Sequence, residues 1–148
     1  MSQDTQLTVP GRYDQIRLIC EFVAEGARIA NFDDKTIFHI ELACDEACTN
    51  IIEHAYEGED RGDITVSWEI NDHEFVIILT DTGQPFDPEG VPEPPAPDTM
   101  EGLTRLDDLK VGGLGLHFMK KLMDDVRFAF AGEKGNRLTM IKQLKGDT

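Results

Sequence analysis

Residues 64–81 carry the tightest constraint on how this chain can fold. Ile64, Val66, Trp68 and Ile70 alternate with Thr65, Ser67 and Glu69; Asn71-Asp72-His73 interrupt, and Phe75, Ile77 and Leu79 resume the alternation. A period of two sends successive side chains to opposite faces of a strand, so the stretch predicts an antiparallel hairpin with one apolar face, ending at Asp81. A hairpin cannot bury that face alone, and other elements must cover it. The preceding segments supply the cover, because their apolar period switches to about 3.6. From Tyr13 to about Ile29, Ile16, Ile19, Cys20, Val23 and Ala27 recur at helical spacing. A second helix, capped by Asp33 or Asp34 and running to about Tyr56, gathers Ile37, Ile40, Cys44, Ala47, Cys48, Ile51 and Ala55 on one face. Before both, Gln6–Pro10 reads as a short edge strand stopped by Pro10 and Gly11.

Beyond the hairpin the pattern breaks. Pro85, Pro88, Pro92, Pro94, Pro95 and Pro97 stand among acidic residues, which forbids a long regular element there. An irregular segment of that length inside a compact domain reads as a functional lid or a disordered insert. A third helix starts at Gly113, with Leu114, Phe118 and Leu122 one turn apart. Val126, Phe128 and Phe130 then form one strand, and Leu138, Met140 and Leu144 the next, around a turn at 132–136. The 148 residues suit one domain, with the lid at about 84–112. The expected fold is α+β: a two-layer sandwich whose mixed, mostly antiparallel sheet is covered on one face by three helices.

The net charge of -15 argues against nucleic acid and against anionic membranes, both of which ask for clustered Lys and Arg. It fits a solvated acidic surface or a partner with a basic face. Cys20, Cys44 and Cys48 are an odd number in a chain whose start shows no export signal, so reduced thiols and a cytoplasmic location are expected. Cys44 and Cys48 lie on the apolar face of the second helix and read as core thiols rather than metal ligands.

Three constellations carry chemistry. Glu46, Asn50 and His54 are spaced i, i+4, i+8, so they drift by only about 40° per step and share one stripe beside the apolar face. A carboxylate one turn before a carboxamide combines a proton acceptor with a ligand for a hard cation, although the same spacing also suits a solvated helix flank. Asp81, at the end of a strand and followed by Gly83, offers an acceptor fixed in space for an exocyclic amine, or simply ends a strand before a turn. Gly112-Gly113-Leu114-Gly115 opens a helix, where free N–H groups form a phosphate site; a flexible hinge is the other reading.

In this order the three resemble the N, G1 and G2 boxes of the GHKL (histidine-kinase-like) ATPase superfamily. Glu46-Ala47-Cys48-Thr49-Asn50 through His54-Ala55-Tyr56, Asp81 through Pro88, Gly112 through Leu116, Met123-Asp124 and Gly135 through Thr139 are similar to the anti-sigma-factor serine kinases, from about Leu7 to Lys145. The resemblance implies an ATP-dependent protein-serine kinase that phosphorylates a STAS-domain anti-sigma antagonist in a partner switch. It implies Glu46 as general base toward a substrate serine, Asn50 as Mg²⁺ ligand, Asp81 as the adenine-recognising carboxylate beside Gly83, and Thr139 near adenine through water. It further implies Gly113, Leu114 and Gly115 at the phosphates, with Arg105 or Lys110 of the lid contacting them. A sigma factor or other regulated protein is the implied second partner, and the chain itself a homodimer through its first strand and helix. One departure is that Gln84-Pro85 follow Gly83 where many superfamily members have a second glycine, which stiffens the loop. The alternatives are a nucleotide-binding partner switch without catalysis and a detached histidine-kinase ATP domain.

Overall fold

The computed structural model describes residues 6–84, 119–130 and 135–144. Strand β1 (Gln6–Pro10) leads through a 3₁₀ turn (Tyr13–Gln15) into helix α1 (Ile16–Ile29), followed by α2 (Asp34–Asn50) and a π-helical turn (Ile51–Ala55). The hairpin β2 (Asp63–Ile70) and β3 (Glu74–Asp81) comes next, and β4 (Asp125–Phe130) and β5 (Asn136–Gln143) close the chain. Residues 119–122 are helical, the described end of the third helix. The sheet order is β1-β2-β3-β5-β4, and every pairing is antiparallel. This is the expected two-layer sandwich, with β1 at one edge. No helix among the described residues is long and apolar enough to cross a membrane.

The alternation in β2 and β3 translates directly into packing. Ile64, Val66 and Trp68 face the helices, as do Phe75, Ile77 and Leu79, and all are buried. Ile70, the fourth residue of the β2 series, lies at the strand's end and is exposed. From the other layer, α1 contributes Ile19, Val23 and Ala27, and α2 contributes Ile40, Cys44 and Cys48. All three cysteines are buried free thiols, and burial pushes each thiol upward, Cys20 to about 12. Asp33 caps α2 by accepting from the Thr36 N–H at 2.8 Å.

At one point α1 meets the sheet through the absence of a side chain. The Trp68 ring lies against Gly26, so closely that a Cβ there would overlap it. Gly26→Ala improves helix propensity by about 1 kcal/mol but overpacks a core that normally charges about 1–3 kcal/mol for such an intrusion. The steric term wins, because Trp68 is itself wedged against Phe22 and Phe75 with ring centroids 6.3 and 5.9 Å away. Thermal denaturation of Gly26→Ala is expected to show a lower Tm; an unchanged or higher Tm would mean that α1 does not seat on Trp68.

Candidate nucleotide site

The site begins with the phase of β3. Phe75, Ile77 and Leu79 face the helices, and the next position in that phase is Asp81, which is therefore carried inward and left 6% exposed. An ionisable group so placed needs donors. Its Oδ1 accepts from the Gly83 N–H and from Asn136 Nδ2, both at 2.8 Å. Burial raises the Asp81 carboxyl above its ordinary range, while these two hydrogen bonds pull it back down. Asn136, itself 8% exposed, stands directly across the ladder from Asp81, and also donates to the Gln84 carbonyl at 2.9 Å.

Asp81 and Asn136 line a small cavity of about 30 Å³ that opens to solvent between α2 and the sheet. Asn50, Ala47, Met119 and Leu138 line it too, and Arg137 stands at its wall. The structure thus brings Asn50 and Asp81, predicted from separate motifs, to one pocket. Gly83 belongs to the same corner: its N–H is held by Asp81, and a Cβ on it would strike the Ala55 backbone. Glu46 sits one helical turn before Asn50, half-buried, and is not among the lining residues. Its carboxyl is raised first by burial and then by the negative charges of Asp45 and Glu53.

Two expectations come out differently. Asn50 ends the regular α2 ladder, and the next turn widens to i→i+5, with the Tyr56 N–H donating to the Ile51 carbonyl at 2.9 Å. The Glu46–Asn50 stripe therefore does not continue to His54 at α-helical pitch. Instead the carbonyls of His54 and Ala55 turn toward Gln84, accepting from its Nε2 at 2.7 Å and its backbone N–H at 2.8 Å. Thr139 pairs with Ile78 and Arg127, out of phase with Asn136 and Leu138, and is not among the residues that line the pocket. The residue that β5 does deliver is Asn136, to which sequence reasoning assigned no role. The signal was available: Leu138 and Met140 face the core, and the same phase selects position 136. Arg105, Lys110, Gly113, Leu114 and Gly115 lie outside the described residues.

Among the described residues no group of three or more His, Cys, Asp or Glu side chains converges as a metal site. Asn50 lines the pocket from α2, and a side-chain amide oxygen there fits a Mg²⁺ held mainly by phosphate oxygens and water.

Comparison with known proteins agrees with the geometry. The model of the histidine kinase-like ATPase domain matches residues 9–142. A serine-protein kinase RsbW of Halalkalibacterium halodurans is 33% identical over 96% of this chain and 84% of its own length. The protein of that name from Bacillus velezensis is 34% identical over 96% of the chain and 86% of its length, and one from Listeria monocytogenes 30% over 97% and 89%. A two-layer antiparallel sandwich, a pocket joining the end of α2 to the end of β3, and similarity along nearly the whole chain place it together: it belongs to the histidine kinase-like ATPase domain family, alongside the proteins named serine-protein kinase RsbW.

Proposed function

We propose that this chain is a Mg-ATP-dependent protein-serine kinase of the anti-sigma-factor type, transferring the γ-phosphoryl group to a serine of a STAS-domain antagonist. The observation that carries this reading is the convergence of Asn50 and Asp81 on one cavity. Asp81 recognises the adenine. With Oδ1 occupied by two N–H donors, Oδ2 is left to accept from an exocyclic amine, and burial strengthens that bond. Asn50 holds the metal, which when bound neutralises charge on the phosphates. Glu46, one turn earlier, takes the proton from the incoming serine hydroxyl. Arg105, Lys110 and the backbone of Gly113, Leu114 and Gly115 contact the phosphates. Phosphoryl transfer asks chiefly for positioning and charge stabilisation, so this set suffices.

A sigma factor or other regulated protein completes the switch, and the chain works as a homodimer. In support, Leu18 and Ile29 stand exposed on α1, next to the edge strand β1. The test is to mix the protein with Mg-ATP and a STAS-domain antagonist and look for serine phosphate by mass spectrometry. ADP and phosphoserine are expected in equal amounts. Nucleotide binding with no phosphoserine would reduce the chain to a nucleotide-gated partner switch.

A further inference from the structure

We propose that Tyr56 is a positioning residue for the nucleotide pocket: its phenol hydroxyl, outside the cavity lining, holds the Asp81–Gln84 turn in the geometry that adenine capture needs. The inference rests on the nucleotide reading given above.

Each backbone N–H of the turn after Asp81 has its own acceptor. Gly83 N–H goes to the Asp81 carboxylate and Gln84 N–H to the Ala55 carbonyl, each at 2.8 Å. Thr82 N–H goes to the Tyr56 hydroxyl oxygen at 2.9 Å. That oxygen is fully used: its own proton is donated to the Asp63 carbonyl at the start of β2, and the Thr82 hydroxyl lies 3.3 Å away as a second donor to it. A single buried atom therefore ties the residue that follows Asp81 to the neighbouring strand. Tyr56 is 6% exposed, and its ring lies against Gly11 and Gly62; a Cβ on Gly62 would overlap it. The π-helical turn sets the ring there, since its i→i+5 bond ends on the Tyr56 N–H. The phenol thus cannot swing away, and the turn cannot relax without breaking a partly buried hydrogen bond.

The physical consequence is specific. Asp81 Oδ1 is fixed by Gly83 N–H and Asn136, and Gly83 keeps its place only while Thr82 does. Loosening Thr82 spreads the orientations of the carboxylate, which weakens capture of the base without touching the groups that would handle the phosphates. The adenine contact is the same in ground and transition states, so its loss is a loss of uniform binding: affinity changes and the chemical step does not.

The experiment compares wild type, Tyr56→Phe and Thr82→Val for Mg-ADP affinity by calorimetry and for Tm. Tyr56→Phe is expected to bind ADP about tenfold more weakly. At saturating ATP its transfer rate should match wild type. Thr82→Val, which keeps the backbone N–H, should bind within about twofold of wild type. Tyr56→Phe that melts lower yet binds ADP as wild type does makes the residue merely structural and overturns the proposal. Wild type that fails to bind ADP overturns the nucleotide reading along with it. A second measurement needs no folded variant. Coupling is reciprocal, so if the Tyr56–Thr82 bond favours ADP, ADP must favour the bond. Saturating ADP is expected to slow hydrogen exchange at the Thr82 N–H about tenfold in wild type; an unchanged rate overturns the proposal.

Discussion

Glu46→Gln is expected to bind Mg-ATP within about twofold of wild type and to transfer phosphate at least about a hundredfold more slowly. The substitution keeps the size and hydrogen-bonding shape of the side chain and removes only its capacity to take a proton. Because Glu46 sits one turn from Asn50 without lining the cavity, nucleotide affinity has no reason to depend on it. The pH dependence gives the same assignment an independent check. Burial, then repulsion from Asp45 and Glu53, raises this carboxyl above the ordinary glutamate value of about 4.3. A base acts only when deprotonated, so the transfer rate should climb with pH through the pKa of Glu46, on a limb lying above the one a solvated glutamate would give. Asp45→Asn removes one repelling charge and should move that limb to lower pH. Initial rates across the acid range, with antagonist saturating, test both. Wild-type rates in Glu46→Gln, or a limb indifferent to Asp45, would transfer the role of base to another group.

The elements were legible in the sequence wherever one periodicity controls burial. Ile64, Val66 and Trp68 on β2, and Ile19, Val23 and Ala27 on α1, are buried at the spacing that their alternation or helical period demands. The pocket was legible in part for the same reason: Asp81 is buried because it falls in phase with Phe75, Ile77 and Leu79. What escaped depends on contacts distant in sequence. Nothing local marks Ile51–Ala55 as a π-helical turn; its exposed carbonyls are taken by Gln84, and Tyr56 is held by Gly11 and Gly62, neighbours reached only after folding. Residues 51–55 carry ordinary helix formers and a β-branched pair, Ile51 and Ile52, so propensity alone gives an α-helix that runs on. Thr139 and Asn136 show a different point. A resemblance aligned a motif to the last threonine of Gly135-Asn136-Arg137-Leu138-Thr139, whereas strand phase, visible in the same residues, puts Asn136 at the pocket. Phase follows from the pleat, so it finds Asn136 where the motif does not.

Asp81→Asn is expected to lower ADP affinity about a hundredfold and to narrow the preference for adenine over guanine nucleotides, with the fold intact. The geometry leaves the new side chain one orientation. The position of Oδ1 receives two donors, Gly83 N–H and Asn136 Nδ2, and only the amide oxygen of Asn can occupy it; the amide nitrogen there would face donors with a donor. Its NH₂ must then point where Oδ2 was, toward the exocyclic amine of adenine. One charge-assisted hydrogen bond, about 1.5–3 kcal/mol, is lost and two donors are set against each other, which together amount to about a hundredfold. Guanine presents a carbonyl oxygen at the corresponding position and meets the new NH₂ with an acceptor, so GDP should lose less than ADP, or gain. Folding should not suffer, because both internal bonds persist and a buried charge is removed. Burial already disfavours that charge, as the raised Asp81 carboxyl shows. Calorimetric titration with ADP and GDP, alongside Tm, reads all three effects. Unchanged ADP affinity would remove Asp81 from base recognition, and a collapsed Tm would make its carboxylate a structural group that tolerates no neutral substitute.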